Sequence, residues 1–224
     1  MPRHVRGFDT EAAHAHLARR DRKLGRWMRR IGPIEADPRW RGRFDPVDAL
    51  ARAILFQQLS GKAASTIVGR VEAAIGSKRL HFDTLGRIDD AALRACGVSG
   101  NKTLALRDLA LRESRGEIPT LRQMAYLDNE EIIEALVPIR GIGRWTVEMM
   151  LMFRLGRPDV LPIDDLGVRK GAGIVDKAEQ APTPKALLER GERWGPYRTY
   201  ASLYLWRIAD SASEAATPTN RSQG

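Results

Sequence analysis

The chain has one cysteine, Cys96, among 224 residues. One thiol allows no intrachain disulfide, fits a reducing interior, and excludes a four-cysteine iron–sulfur cluster. The four histidines, His4, His14, His16 and His81, are scattered, with three near the N-terminus, and no His/Cys/Glu group has metal-ligand spacing. They are expected at the surface rather than on a metal. No apolar run approaches the roughly 18 residues of a membrane span. The charged N-terminus does not resemble a secretory signal. Period-two strand alternation is lacking too. What remains is a soluble, cytoplasmic, all-α protein. Acidic residues are in deficit: 28 Asp+Glu against 37 Lys+Arg leave a net charge of +9. Such a field favours polyanions without separating DNA from RNA or from an acidic membrane.

Apolar residues recur at helical spacing almost throughout. Helices are expected at Ala49–Phe56, Ala63–Ile75, Asp89–Ala95, Thr103–Ser114, Asn129–Leu136, Trp145–Leu155, Pro184–Gly191 and Tyr197–Ile208, after a short basic helical arm. A further helix is expected to begin at Leu166. The stretch Ala209–Gly224 is small and polar and reads as a disordered tail. Asn101-Lys102-Thr103, after a Gly-containing loop, opens one helix. It reads equally as a phosphate-facing N-terminus or a plain cap.

Two neighbouring segments carry the chemistry. Leu136–Val147 reads LVPIRGIGRWTV, and Leu161–Lys170 reads LPIDDLGVRK. In the first, Gly141 and Gly143 permit a tight turn and the close approach of another backbone. The helix after it begins with N–H groups that no helical carbonyl can satisfy, so it can face an anion. The same glycines could serve turn geometry alone, in a plain αα-hairpin. In the second segment Asp164 and Asp165 follow Pro162, and either could simply cap the helix starting at Leu166. A carboxylate there is compatible with both capping and catalysis.

The first segment resembles the helix-hairpin-helix of the DNA glycosylase superfamily, whose pattern is Leu-Pro-Gly-Ile-Gly-Arg-x-Thr-Ala. Arg140 stands where the family has proline, and Val147 where it has alanine. Arg52–Ala64 (RAILFQQLSGKAA) and Arg193–Trp206 (RWGPYRTYASLYLW) resemble segments of the 3-methyladenine DNA glycosylase II family, in the family's order. The resemblance spans roughly Arg52 to Trp206. It implies a two-lobed helix-hairpin-helix glycosylase fold with the active-site cleft between lobes. Residues 1–208 would form one glycosylase module: one lobe at about 45–145 with the hairpin, the other 1–44 plus 146–208. Residues 209–224 would be the tail.

The same resemblance assigns roles. The essential carboxylate maps to Asp165, because Val168 then matches an apolar position three residues beyond it. Asp164 becomes a neighbour that caps the helix or raises its partner's pKa. Members that also cut the backbone carry a lysine where this chain has Trp145, so water is the expected nucleophile. The pocket tryptophans map to Trp145 and Trp206, and the pocket tyrosine to Met149. Trp27, Trp40 and Trp194 read as core. DNA contacts are expected from Gln58 (the wedge filling the space of the flipped nucleotide), Ser60, Lys62, Gly141, Gly143, Arg144 and Thr146. The carbonyls of Val137, Ile139 and Gly141 map to those that bind a monovalent Na+ or K+ in the family; catalysis itself calls for no cofactor.

The implied activity is hydrolysis of the N-glycosidic bond of alkylated bases, such as 3-methyladenine and 7-methylguanine, in double-stranded DNA during base excision repair. The chain would act as a monomer, without a membrane. Ethenoadenine or 1-methyladenine/3-methylcytosine remain alternative lesions. A non-catalytic helix-hairpin-helix DNA-binding protein, a bifunctional glycosylase/lyase and a helical RNA-binding protein remain alternative readings.

Overall fold

The computed structural model describes residues 3–216, and those residues contain no strand. The helices are α1 (Thr10–Arg20), α2 (Arg22–Ile31), α3 (Pro46–Phe56), α4 (Gly61–Ile75), α5 (Phe82–Leu85), α6 (Asp90–Ala95), α7 (Gly100–Ser114), α8 (Leu121–Met124), α9 (Asn129–Leu136), α10 (Arg144–Phe153), α11 (Leu166–Asp176), α12 (Pro184–Gly191) and α13 (Arg198–Ala216). Two compact units are distinguished: Gly42–Val147 with residues 3–5, and Arg6–Arg41 with residues 148–216.

In the first unit the starts of helices are written in side chains. Asp45 caps α3, accepting the Val47 and Asp48 N–H groups, with Pro46 at the first helical position. Proline is tolerated there because that N–H has no helical partner. The buried residues Val47, Leu50, Ala51, Ile54 and Leu55 recur at three- and four-residue spacing. They turn one face of α3 toward α4 and α7. Burying each leucine or isoleucine contributes about 1.5–3 kcal/mol. His81 departs from the surface expectation. It is 7 % exposed, with Nδ1 2.5 Å from Glu113 Oε1 and Nε2 3.1 Å from Asp45 Oδ2. Glu113 also accepts the Phe82 N–H, so this cluster fixes the entry to α5.

The second unit is built on α11 packed along α13. A Cβ on Gly171 would lie 2.0 Å from the Leu205 carbonyl oxygen, so only glycine permits this approach. Leu17, Leu24, Met28, Val168, Trp194, Tyr200 and Tyr204 form its buried centre. Asp21 closes α1 with its backbone N–H and caps α2 with its side chain. α13 corrects the expectation for the C-terminal stretch: it continues to Ala216 rather than ending near Ile208. No glycine or proline interrupts residues 198–216, and their Ala and Glu favour the helix. Residues 217–224 of the expected tail lie outside the described residues. No described helix is long and apolar enough to cross a membrane.

Candidate active site

The hairpin lies in the first unit. α9 ends at Leu136, and Leu136, Ile139 and Ile142 are buried, anchoring the turn from beneath. Gly141 has φ +79°, and a Cβ there would meet the Ala105 side chain at 3.3 Å. A side chain would therefore be strained in backbone and crowded against α7. Gly143 has open space around its missing Cβ, which leaves room for a ligand. Arg140, where the resembled pattern has proline, has a backbone N–H that proline would lack. Asp108 Oδ2 accepts it at 2.8 Å. The departure thus has a local partner, itself ion-paired with Arg112.

Arg144 is paired with Glu130 through both guanidinium amino groups. Both side chains are about half exposed, so the pair contributes at most about 1 kcal/mol and can exchange for a phosphate. The Gly143 carbonyl accepts the Thr146 and Val147 N–H groups. Thr146 can therefore offer an anion its hydroxyl rather than its amide. Trp145 is 50 % exposed, unlike a core residue.

The turn between α3 and α4 holds Gln58, exposed and at φ +57°, a left-handed conformation uncommon outside glycine. Its shape is imposed from outside. Lys102 Nζ donates to the carbonyls of Leu55 (2.8 Å) and Gln57 (2.7 Å). Gln57 Nε2 donates to the Gly141 carbonyl at 2.7 Å, tying this turn to the hairpin. Lys102 is therefore a clamp, a side-chain role outside both readings of this helix start. Burial lowers its pKa. Ser60 caps α4 by accepting the Ala63 N–H at 3.3 Å, and Lys62 is exposed beside it. Leu59 is 39 % exposed, not core.

Of the three carbonyls mapped to a cation, that of Ile139 accepts the Ile142 N–H and that of Gly141 accepts Gln57. A carbonyl oxygen has two lone pairs, so each retains one for a weakly held monovalent ion. No His/Cys/Asp/Glu cluster suited to a metal occurs among the described residues.

The carboxylate lies in the second unit. Asp165, at φ −69° and ψ 118°, is the N-cap of α11: its Oδ1 accepts the Val168 N–H at 2.9 Å. The same oxygen accepts the Trp206 indole N–H at 2.9 Å. Two donors from different elements fix the orientation of this carboxylate. Asp164, the alternative capping residue, is exposed in the preceding turn and does not cap the helix. Gly167 makes room for the indole. A Cβ there would lie 2.8 Å from Trp206 Cδ1 and 3.1 Å from Asp165 Oδ1. Phe153 stacks on Trp206 with centroids 5.9 Å apart and planes at 26°. The Arg39 guanidinium covers the Phe153 ring at 4.8 Å. Met149 is half-buried on α10.

Gly167, Phe153, Arg39 and Lys102 escaped the sequence reading as site residues. Their contacts join positions far apart in the chain, and no local pattern marks them. Trp40 and Trp194 are buried as expected, their N–H groups donating to the Met152 carbonyl and to Asp21. Trp27 is half-buried, with Arg30 over its ring.

The arrangement offers a fixed carboxylate beside aromatic surface in one unit, and in the other a glycine hairpin and a turn with Gln58 at positive φ. Comparison with known proteins gives the family. The profile described as HhH-GPD superfamily base excision DNA repair protein matches residues 51–196. DNA-3-methyladenine glycosylase 1 of Schizosaccharomyces pombe is 38% identical over 203 residues, 89% of this chain and 88% of that protein. The crystal structure of a DNA-3-methyladenine glycosidase from Bacillus halodurans superimposes with a TM-score of 0.81 at 35% identity, over 92% of this chain and 94% of that one. The Schizosaccharomyces pombe 3-methyladenine DNA glycosylase in complex with abasic DNA gives a TM-score of 0.75 at 36% identity, over 88% and 95%. The chain belongs to the HhH-GPD superfamily of base excision DNA repair proteins.

Proposed function

We propose that the protein is a monofunctional DNA glycosylase that hydrolyses the N-glycosidic bond of alkylated bases in double-stranded DNA. The observation that carries this reading is the anchoring of Asp165 by the Val168 and Trp206 N–H groups at the start of α11. Cleaving the bond builds positive charge on the deoxyribose, as in an oxocarbenium-like transition state. A carboxylate held in place stabilises that charge without reorganising, and it also orients and deprotonates the attacking water. The products are the free base and an abasic site.

Trp145 carries no amine, so no Schiff base with the sugar forms at that position. Trp145 and Trp206 offer ring faces to a base made cationic by alkylation, such as 3-methyladenine or 7-methylguanine. Met149 adds a flexible, polarizable wall. Gln58 fills the place of the extruded nucleotide and hydrogen-bonds the orphaned base. Ser60, Lys62, Gly141, Gly143, Arg144 and Thr146 hold the DNA backbone. The Val137, Ile139 and Gly141 carbonyls would hold a monovalent cation, which supplies positive charge for a phosphate when bound.

The test is a single-turnover reaction on methylated duplex DNA with chromatography of the released material. Free methylated purines, with strand breaks appearing only after alkali, are expected. Breaks without alkali, together with borohydride trapping of the protein on DNA, would contradict the monofunctional assignment.

A further inference from the structure

Residues 19–30, from the end of α1 through most of α2, read RRDRKLGRWMRR. Seven cationic side chains and one aspartate give a local charge of 7 − 1 = +6, against +9 for the whole chain. Most of the protein's excess charge therefore sits in one short segment of the second unit. α2 buries Leu24, Gly25 and Met28. Arg22, Arg26 and Arg29, at i, i+4 and i+7, are exposed on another face. Local helix energetics do not favour this arrangement. The first turn of α2 has no acidic residue and carries Arg22 and Lys23 where the helix dipole is positive. Like charges one turn apart repel.

A basin of about 540 Å³ opens at the N-terminal end of α2, lined by Arg19, Arg20, Arg22 and Arg193 among others. Its two carboxylates are already engaged. Asp21 accepts the Lys23 and Leu24 N–H groups, the Trp194 indole and Arg190. Asp176 is held by Arg190 and Lys23. Arg19, Arg20, Arg22 and Arg193 are exposed, and no carboxylate pairs with them among the described residues. Because Asp21 caps α2, an anion here would be held by guanidinium forks, which suit phosphate.

The shape of the charge selects the ligand. One arginine per turn from Arg22 to Arg29 makes a track about 10 Å long, enough for roughly three phosphates at a rise of about 3.4 Å per step along the duplex axis. A small anion would leave most of that track unused. A lipid surface would call for exposed apolar residues beside the charge, and neither α1 nor α2 exposes a large apolar side chain. α11 separates this region from the proposed catalytic carboxylate. Asp165 caps one end and Asp176 faces the basin at the other, about 16 Å along the helix.

We infer that the α2 arginines and the basin form a second phosphodiester-binding track, which grips DNA backbone remote from the nucleotide being processed. The inference rests on DNA being the substrate, as proposed above. The track adds affinity on long duplexes, undamaged ones included, and leaves the chemical step alone.

The experiment compares wild type with a variant carrying Arg22→Gln, Arg26→Gln, Arg29→Gln and Arg193→Gln, and with the corresponding four-lysine variant. Thermal melts establish that each folds. Binding to an undamaged duplex of about 40 base pairs and to a lesion duplex of about 10 is measured against salt, since each lost phosphate contact lowers the log–log slope by about 0.9. For the glutamine variant, a slope smaller by about 2–4 and at least tenfold weaker binding are expected on the long duplex only. The lysine variant should keep the wild-type slope. Base release from the short lesion duplex should be unchanged, so failure of the activity itself would be seen separately in the wild type. Equal slopes in wild type and glutamine variant would overturn the inference. So would an equal loss on both duplexes.

Discussion

Trp206 donates its indole N–H to Oδ1 of Asp165 at 2.9 Å, joining residues 41 apart in sequence. With the Val168 N–H on the same oxygen, the carboxylate is oriented by one bond from its own helix and one from α13. Trp206→Phe keeps a ring against Phe153 and removes that donor. A hydrogen bond to a charged group contributes about 1.5–3 kcal/mol, so base release under single turnover should slow roughly tenfold or more. DNA affinity should change little. An unchanged rate would mean that the indole serves only to fill space.

Gly167→Ala tests the same geometry from the other side. The new methyl would overlap Trp206 Cδ1, so the indole must move and loosen its bond to Asp165. Alanine improves a helix by up to about 1 kcal/mol over glycine, so the variant should fold as well as wild type. Its base-release rate should fall about as far as that of Trp206→Phe, and the double variant should be little worse than either single one. Additive losses in the double variant would contradict a shared route.

Lys102 holds the turn around Gln58 by two carbonyls, and methionine at this position keeps the stem but not the donors. Lys102→Met should destabilise the protein by about 1–3 kcal/mol, since the Leu55 and Gln57 oxygens lose charged partners. It should also weaken binding to abasic duplex more than to undamaged duplex, as judged by titration of both. Equal weakening on the two would mean that the lysine acts through charge and not through the shape of the turn around Gln58.

Asp21 is 3 % exposed and lies between Arg190, Trp194 and the start of α2. Burial alone would raise its pKa, but the Leu24 N–H, Arg190 and Trp194 together hold it below the ordinary carboxylate value. A depressed carboxylate stabilises the folded state above its unfolded pKa of about 3.9 and loses that contribution as pH falls through its folded value. Asp176, lowered mainly by Arg190 and Lys23 against the cost of burial, adds in the same direction. Stability in urea should therefore drop steeply below about pH 4. Asp21→Asn should cost about 3–5 kcal/mol at neutral pH by leaving Arg190 short of a partner, and it should flatten the acid limb. An acid limb as steep as wild type would place the titrating groups elsewhere.

Much of this was legible in local sequence. The turn at Gly141 and Gly143 is short-range, and its glycines mark it. The acidic pair before Leu166 marks a helix start by its own chemistry, and the structure assigns the cap to Asp165. The rest depends on contacts that no window contains. Trp206 reaches Asp165 only because Gly167 and Gly171 let α11 and α13 approach. Lys102 stands at a helix start with nothing nearby in sequence to show that its ammonium reaches the carbonyls of Leu55 and Gln57. His81 looks like a surface histidine because Glu113, its partner, is 32 residues away. The four-residue helices α5 and α8 are too short to show a period. Residues 209–216 read as tail from their small polar side chains, although nothing among them breaks the helix that precedes them.

The most direct test of the account is single-turnover release of methylated purines from duplex DNA by wild type, Asp165→Asn and Asp164→Asn side by side. Only Asp165 is fixed by both the helix start and Trp206. Asp165→Asn should lose release by a factor of about 10³ or more while abasic-duplex binding survives, because the charge that offsets the developing oxocarbenium is gone. Asp164→Asn should stay within a few-fold of wild type. Retained release in Asp165→Asn, or its loss in Asp164→Asn, would contradict the assignment of the carboxylate.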